Sequence, residues 1–541
     1  MQTEKIEAFL EGIEGWSWEK IGLWAMLFFF SGLVVVLTYQ EKLPLDIDHF
    51  SFLFFLLLLF ALYRPRLSFF ALVFFLPFEI INLAPSELGL ALRPYQLLTV
   101  TTLLAIVLHI LGGKMNPKKI HFIGLDALPI GVFMGSVLAI PGALVPAIAF
   151  KQALILASFL TLYTVARIFL KSAKVREEAL NFFYGGALVV ILVAFWQNIQ
   201  DKYGHVSHMV MAGRPNSTFF EADWLGFFLA GVALLLLGEW VVGTRKKQDT
   251  QIEHMALVAR WIFFVLTVMV LIMTVSRSAW LAFVVGILML FVTEGYRVLR
   301  GERKWKKYAM KILLAGGLCV IALTLVLLFQ LTRFQISERA ESTTNGYQNI
   351  TVACEREASL PKRIESVEEL SLYGCRHITL EAIEEEKQVG KSIQEVERRD
   401  PNFSIRSQIY QKSWETLKTH FVFGIGLGNS SQFLGLDAQG AGLNTSNLFL
   451  ETWLASGLLG GLSLFLLWIV LGIRFVYGIV KGSYPERYML GFALLCGMTI
   501  FNLFNAGMFL GSFFFLLALL VTLSNPPADY KFNPPTDHKK V

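Results

Sequence analysis

The stretch ALVARWIFFVLTVMVLIMTVSRSAWLAFVVGILMLFVTEGYRVLRGERKWKK, residues 256–307, decides the fold class. Two apolar runs, 256–275 and 278–296, flank a single charge, Arg277, and the second run ends in a cluster of Arg and Lys. Each run is about 20 residues long, and at 1.5 Å per residue a helix of that length crosses the roughly 30 Å hydrocarbon core of a bilayer. Apart from Arg260 and Glu294 the runs are continuously apolar instead of alternating, so they read as helices and not as barrel strands. The tight turn at Arg277 makes them an antiparallel pair.

The same pattern recurs on both sides of this pair. Spans are expected near 21–39, 48–63, 67–84, 94–111, 124–144, 146–170, 179–199, 221–242, 256–275, 278–296, 308–331, 450–473, 487–504 and 509–524. Of the 541 residues, 55% are hydrophobic and 16% charged, whereas a soluble chain carries about a quarter charged residues. The expected architecture is an all-α polytopic membrane protein of about 14 transmembrane helices. The third span holds Pro77 and Glu79 and is the least regular. The fifth and sixth also suit a re-entrant hairpin around Pro141 and Pro146. Residues 1–20 are acidic and mixed, with no basic leader, and read as an interfacial segment carrying Trp16 and Trp18, not as a signal peptide.

Lys and Arg in short loops set orientation. Arg64 and Arg66, Lys114 to Lys119, Lys171 to Arg176, Arg245 to Lys247, Arg297 to Lys307, Arg474 to Arg487, and Lys539 with Lys540 occupy every second connection. These connections and both termini are expected to be cytoplasmic. The net charge of +6 is then anchoring charge, and no nucleic-acid partner is implied.

The organisation expected is an interfacial segment (1–20), helices 1–11 (21–332), a large extracytoplasmic loop domain (333–446), helices 12–14 (447–525) and a cytoplasmic tail (526–541). Within the loop, the segment EAIEEEKQVGKSIQEVER (381–398) suits a surface helix, and Cys354 and Cys375 suit an extracytoplasmic disulfide. No CxxC, HExxH or Walker-type Gly loop occurs, so neither a metal nor a nucleotide cofactor is expected.

Charge on the outward side breaks the basic-inside pattern and asks for an anionic partner. Arg277 is one such charge. Arg214 is another, in GRPNSTFFEADWLGFFLAG, where Ser217 or Thr218 with Glu221 also suits a capping box at the start of span eight. Past the loop come RSQIYQKSWETLKTHFVFGIGLGNSSQFLG (406–435) and GLNTSNLFLETWLASGLLGG (442–461). The Gly424, Gly426 and Gly428 run looks like a dinucleotide fingerprint, but without parallel-strand context it reads as a tight outward turn.

Together these segments resemble the O-antigen ligase and O-antigen polymerase superfamily. The resemblance rests on Arg214 with Ser217-Thr218-Phe219 and Ala222-Asp223, and on Ser276-Arg277-Ser278-Ala279 opening a span. It rests further on Arg406 and Trp414 ahead of His420 and Gly424, Gly426 and Gly428, and on Ser446-Asn447 ahead of Gly457 and Gly460. It covers roughly residues 150–480. Asp223 stands where the family has Asn, and Ser446 where it has the His of a His-Asn pair.

The resemblance implies a cytoplasmic-membrane glycosyltransferase that moves a glycan from an undecaprenyl-diphosphate carrier to a sugar, lipid or protein acceptor outside, as in lipopolysaccharide and other surface-polysaccharide biosynthesis. Arginine forks bind a diphosphate bidentately without a metal, and Arg214, Arg277 and Arg406 are the candidates here. With Ser446 in the His position, the candidate bases are His420, Glu221 and Asp223, with Glu451 a fourth. Two other readings compete. A transporter or flippase of lipid-linked glycan predicts charges near the midplane, for which Glu79 and Lys151 are the nearest candidates. A noncatalytic scaffold predicts that Arg214 and Arg277 are dispensable.

Overall fold

The computed structural model describes residues 18–116, 122–211, 213–242, 251–332, 347–355, 360–365, 367–378, 386–387, 389–399, 401–435, 442–481 and 485–525. The interfacial segment before Trp18 and the tail beyond Asn525 lie outside these residues, as do parts of the large loop.

Apolar composition and the hydrogen-bond demand of a lipid interior make helices the default. The first eleven helices are α1 (Trp18–Tyr39), α2 (Ile47–Tyr63), α3 (Pro65–Phe75), α4 (Pro94–Leu111), α5 (Ala127–Leu138), α6 (Pro146–Phe169), α7 (Ala173–Lys202), α8 (Ala222–Val242), α9 (Gln251–Met273), α10 (Arg277–Leu299) and α11 (Trp305–Leu328). The loop then contributes β1 (Tyr347–Cys354), β2 (Arg363–Ile364), β3 (Cys375–His377), β4 (Ser392–Arg399), α12 (Pro401–Thr419) and α13 (Ser430–Leu434). The chain returns through α14 (Leu448–Lys481), α15 (Pro485–Phe504) and α16 (Gly511–Leu523).

Among the described residues, 11 helices are long and apolar enough to cross a membrane. The remaining expected spans fall on shorter apolar helices, α2, α3 and α16. The third expected span, 67–84, is helical only to Phe75. Beyond it the backbone leaves the helix to pair with another loop, Glu79 N and Ile80 N donating to Thr218 O at 2.9 and 3.0 Å.

Burial separates centre from periphery. In α8, 89% of the most apolar window is buried, against 17% in α1 and α11, so α8 is central and the other two face lipid. Every residue of α16 is buried as well. Small residues set a close contact between α5 and α14. A side chain at Gly135 of α5 would come within 2.5 Å of Ser456 O and 2.7 Å of Gly460 N in α14, and one at Gly131 would meet Ser463. This is the small-xxx-small packing that lets membrane helices approach without a hydrophobic driving force.

Alternate connections meet at the same end of the bundle. At one end Arg214 Nε donates to Thr274 O, Asn505 Nδ2 to Ser278 Oγ, Asn447 Nδ2 to Leu503 O and Gly511 N to Glu79 Oε1. At the other, Arg66 pairs with Glu178, Arg303 with Glu486, and Arg167 Nη1 donates to Thr522 Oγ1.

Among its described residues the expected surface helix 381–398 is helical only at 386–387. Its residues 392–398 belong to strand β4, which pairs antiparallel with β1 from Tyr347↔Arg399 to Cys354↔Ser392; residues 381–385 and 388 lie outside the described ones. The sheet order is β2-β4-β1-β3. Burial of Val396 with Ile350, Val352 and Ile364 in one small core favours the strand over the local helix pattern. Cys354 and Cys375 are disulfide-bonded between β1 and β3 (S–S 2.04 Å).

Candidate functional site

The turn between α9 and α10 organises the site. Ser276 precedes α10 and makes no side-chain cap, so the first N–H groups of this 23-residue helix keep their partial positive charge, and Arg277 opens the helix. Arg277 is half-buried. The turn is pinned from two sides. Asn505 Nδ2 donates to Ser278 Oγ at 2.8 Å, and Arg214 Nε donates to Thr274 O at 2.9 Å. Gly226 of α8 lets the turn approach, since a side chain there would lie 2.7 Å from Ala279 Cβ.

Arg214 itself is enclosed, with its side chain 7% exposed. Besides the Thr274 carbonyl, its Nη1 meets Met211 Sδ at 3.3 Å and its Nη2 reaches both carboxylate oxygens of Asp223 at 3.5 Å. An arginine so committed holds the turn in place. Asp223 is its acid partner.

The expected capping box at the start of α8 does not form. Ser217 Oγ donates to Val190 O and Thr218 Oγ1 to Pro77 O, tying this loop to α7 and to the segment after α3 instead. Ser217 takes a positive φ of 52° to do so. Glu221 is therefore released from capping and lies exposed just ahead of α8. Its carboxyl is held above the ordinary carboxylate pKa, first by loss of water around it and second by the Asp223 carboxylate, with Arg214 opposing.

The α15–α16 connection brings in the loop-derived residues. Asn447 caps α14, its Oδ1 accepting from Phe449 N and Leu450 N (3.0 and 3.1 Å), while its Nδ2 donates to Leu503 O. Arg406 of α12 lies over the Phe504 ring, 5.8 Å from its centroid. Arg406, Asn447 and the Arg277 turn thus all border residues 503–505. Ser446 sits at φ 50° beside Asn447, its N–H donating to Asn444 Oδ1. Glu451 accepts from Ser430 Oγ and from Thr445 N, which fastens the 442–447 strap to α13.

His420 is placed elsewhere. It follows the far end of α12, about 20 Å along the helix axis from Arg406. Its Nδ1 lies 2.8 Å from Thr419 Oγ1 and its ring packs edge-on to Phe433. The three glycines after it have φ of 75°, 83° and 81°, so the segment is a left-handed turn and not a phosphate cradle between strand and helix.

Glu79 and Lys151 sit in different settings. Glu79 is wholly buried and satisfied by Arg93 Nε (2.8 Å), Tyr95 OH (2.9 Å) and Gly511 N (2.8 Å) at the start of α16. Lys151 is exposed on α6. Residues that sequence reasoning passed over include Asn505 and Arg93, the latter over the Phe220 ring beside Glu221.

Residues 262–465 match the family model for O-antigen ligase. The matched segment contains Arg277, Arg406, His420, Ser446 and Asn447, while Arg214, Glu221 and Asp223 lie ahead of it. Curated proteins give no match to the chain.

Proposed function

We propose, proceeding from the O-antigen ligase domain in residues 262–465, that the protein is a membrane glycosyltransferase taking its glycan from an undecaprenyl-diphosphate carrier at the outer face of the bacterial cytoplasmic membrane. The observation that carries this reading is the gathering of Arg277, Arg406, the Arg214–Asp223 pair and Asn447 about one end of the bundle, around residues 503–505 and the α9–α10 turn. The basic connections lie at the opposite end, which supports an outward-facing site with cytoplasmic termini. The Cys354–Cys375 disulfide in the loop on the site's side agrees with an oxidising compartment.

In this scheme the donor diphosphate sits at the positive end of α10, against Arg277 and Arg406. Arg214 and Asp223 hold the turn. The acceptor hydroxyl oxygen attacks the anomeric carbon, the bond from that carbon to the diphosphate oxygen breaks, and the electron pair leaves on the diphosphate. Glu221, exposed and with its pKa raised, takes the hydroxyl proton. Asp223, tied to Arg214, and His420, at the far end of α12, are the remaining candidates.

A deletion strain complemented with variants tests the function. Loss of the protein is expected to leave carrier-linked glycan accumulated, and the length of the residual surface glycan separates ligase from polymerase. The base has its own test in liposomes with lipid-linked donor. Activity is expected to fall on acidification at a higher pH than an unperturbed Glu (pKa about 4.3) would dictate. The sign follows from the raised pKa, because the carboxylate is needed and is protonated earlier as pH falls. Glu221→Gln is expected to lose about 10²-fold or more in turnover at every pH. Wild-type turnover in Glu221→Gln transfers the role to another group.

A further inference from the structure

The end of the bundle opposite the proposed transfer site carries a second cation cluster that the reaction does not use. Arg167, Arg474 and Arg487 converge on the last turn of α16. Arg167 Nε pairs with Asp126 at 2.7 Å and its Nη1 donates to Thr522 Oγ1 at 2.6 Å. Arg487 donates to Thr522 O (2.8 Å) and Leu523 O (3.1 Å), and Arg474 to Asn525 Oδ1 (2.9 Å). These contacts cap the negative end of a helix and need no further explanation.

Lys171 does not fit that account. Lys171 Nζ is enclosed yet has no hydrogen-bond partner among the described residues. Arg176 makes a 3.4 Å bond to Leu170 O, and its charge opposes that of Arg487. The acids nearby are Asp126 and Glu177. Asp126 is engaged by Arg167, Tyr163 and Ile123 N, and Glu177 stands beside Arg176. Loss of water and the Arg167 charge push the Lys171 ammonium below the ordinary lysine pKa, with Asp126 opposing. Lys171 also follows directly on the apolar helix α6, so it stands at headgroup depth, where the abundant anion is a lipid phosphate.

We propose that Lys171, Arg176 and Arg487 together hold the phosphate of an anionic phospholipid where the α6–α7 turn and the start of α15 meet the end of α16, opposite the transfer site. The headgroup balances like charges from the α6–α7 turn, α7 and α15 and ties them to the buried helix α16. A headgroup bound here would raise the stability of the folded bundle by mass action.

The full chain, purified in a neutral maltoside detergent and stripped of lipid, is titrated with phosphatidylglycerol, phosphatidylcholine or inorganic phosphate while its melting temperature is followed. Phosphatidylglycerol is expected to raise the melting temperature saturably, and the other two to leave it unchanged. Lys171→Gln is expected to move the half-saturating phosphatidylglycerol concentration up about tenfold, the scale of one charge-assisted hydrogen bond. Lys171→Arg restores it, and Lys174→Gln, at an exposed position in the next turn, leaves it alone. An unchanged half-saturation in Lys171→Gln overturns the proposal. So does an equal response to inorganic phosphate, which identifies a soluble-anion site, or to phosphatidylcholine, which identifies general bilayer support.

Discussion

Arg277→Ala is expected to lower glycan transfer about 10²–10³-fold while the protein accumulates normally in the membrane. The size follows from where the charge stands. The diphosphate gains charge as the glycosidic bond breaks, and a preorganised cation contributes most where charge develops away from bulk water. Arg277 is half-buried at the start of α10, on a turn held by Asn505 and Arg214. Arg277→Lys keeps the charge and loses the planar fork, so an intermediate rate is expected. Arg214→Ala is expected to behave differently. Its guanidinium is enclosed and bonded to Thr274 O and Asp223, so truncation leaves buried partners unmatched and lowers folded protein along with activity. Transfer assays normalised to protein level separate the two outcomes. A wild-type rate for Arg277→Ala removes the diphosphate clamp from the mechanism and moves the scaffold and transporter readings ahead.

The membrane architecture is legible in the sequence because run length specifies a span, and among the described residues 11 of the expected spans are helices long and apolar enough to cross a membrane. What local sequence does not show is where a helix surrenders its end to a distant partner. Helix α3 stops just ahead of Pro77, which has no N–H to extend it, but nothing local shows that the chain beyond is held by Gly511, 432 residues from Glu79, and by Thr218. Ser217 and Thr218 carry a capping signature, but tertiary acceptors on α7 and at Pro77 compete for their hydroxyls. Residues 392–398 carry helix-suited charges, and pairing with β1 overrides them. At the site, Arg214 and Arg277 are conspicuous because they stand outside the alternate connections in which the other Lys and Arg cluster. Asn505 has no such mark, since an asparagine near the end of a span is usually only a cap.

Gly457→Ala is expected to destabilise the protein by about 3 kcal/mol or more, read as a fall of several degrees in melting temperature and a loss of membrane-inserted protein. Gly457 interrupts α14 with φ 63° and ψ −163°, a conformation open almost only to glycine. The break leaves backbone groups that lipid cannot satisfy. The Gly424 turn satisfies them. Ile425 N and Gly426 N donate to Leu454 O and Ala455 O at 2.8 and 3.1 Å, and Leu458 N donates to Val422 O at 3.0 Å. A methyl group at Gly457 would lie 2.2 Å from Val422 O and 2.6 Å from Phe423 C, both backbone atoms that cannot swing aside. The substitution therefore adds strain and also displaces the segment that repairs the break. Because the first half of α14 begins at the Asn447 cap, activity per folded molecule should fall as well. Gly316→Ala and Gly317→Ala in α11, where an added methyl meets nothing within 4 Å, are expected to be neutral or slightly stabilising. If Gly457→Ala melts with the wild type, the docked turn is not what holds α14 broken, and the placement of Asn447 must rest on its bonds to α15 and to its own first turn.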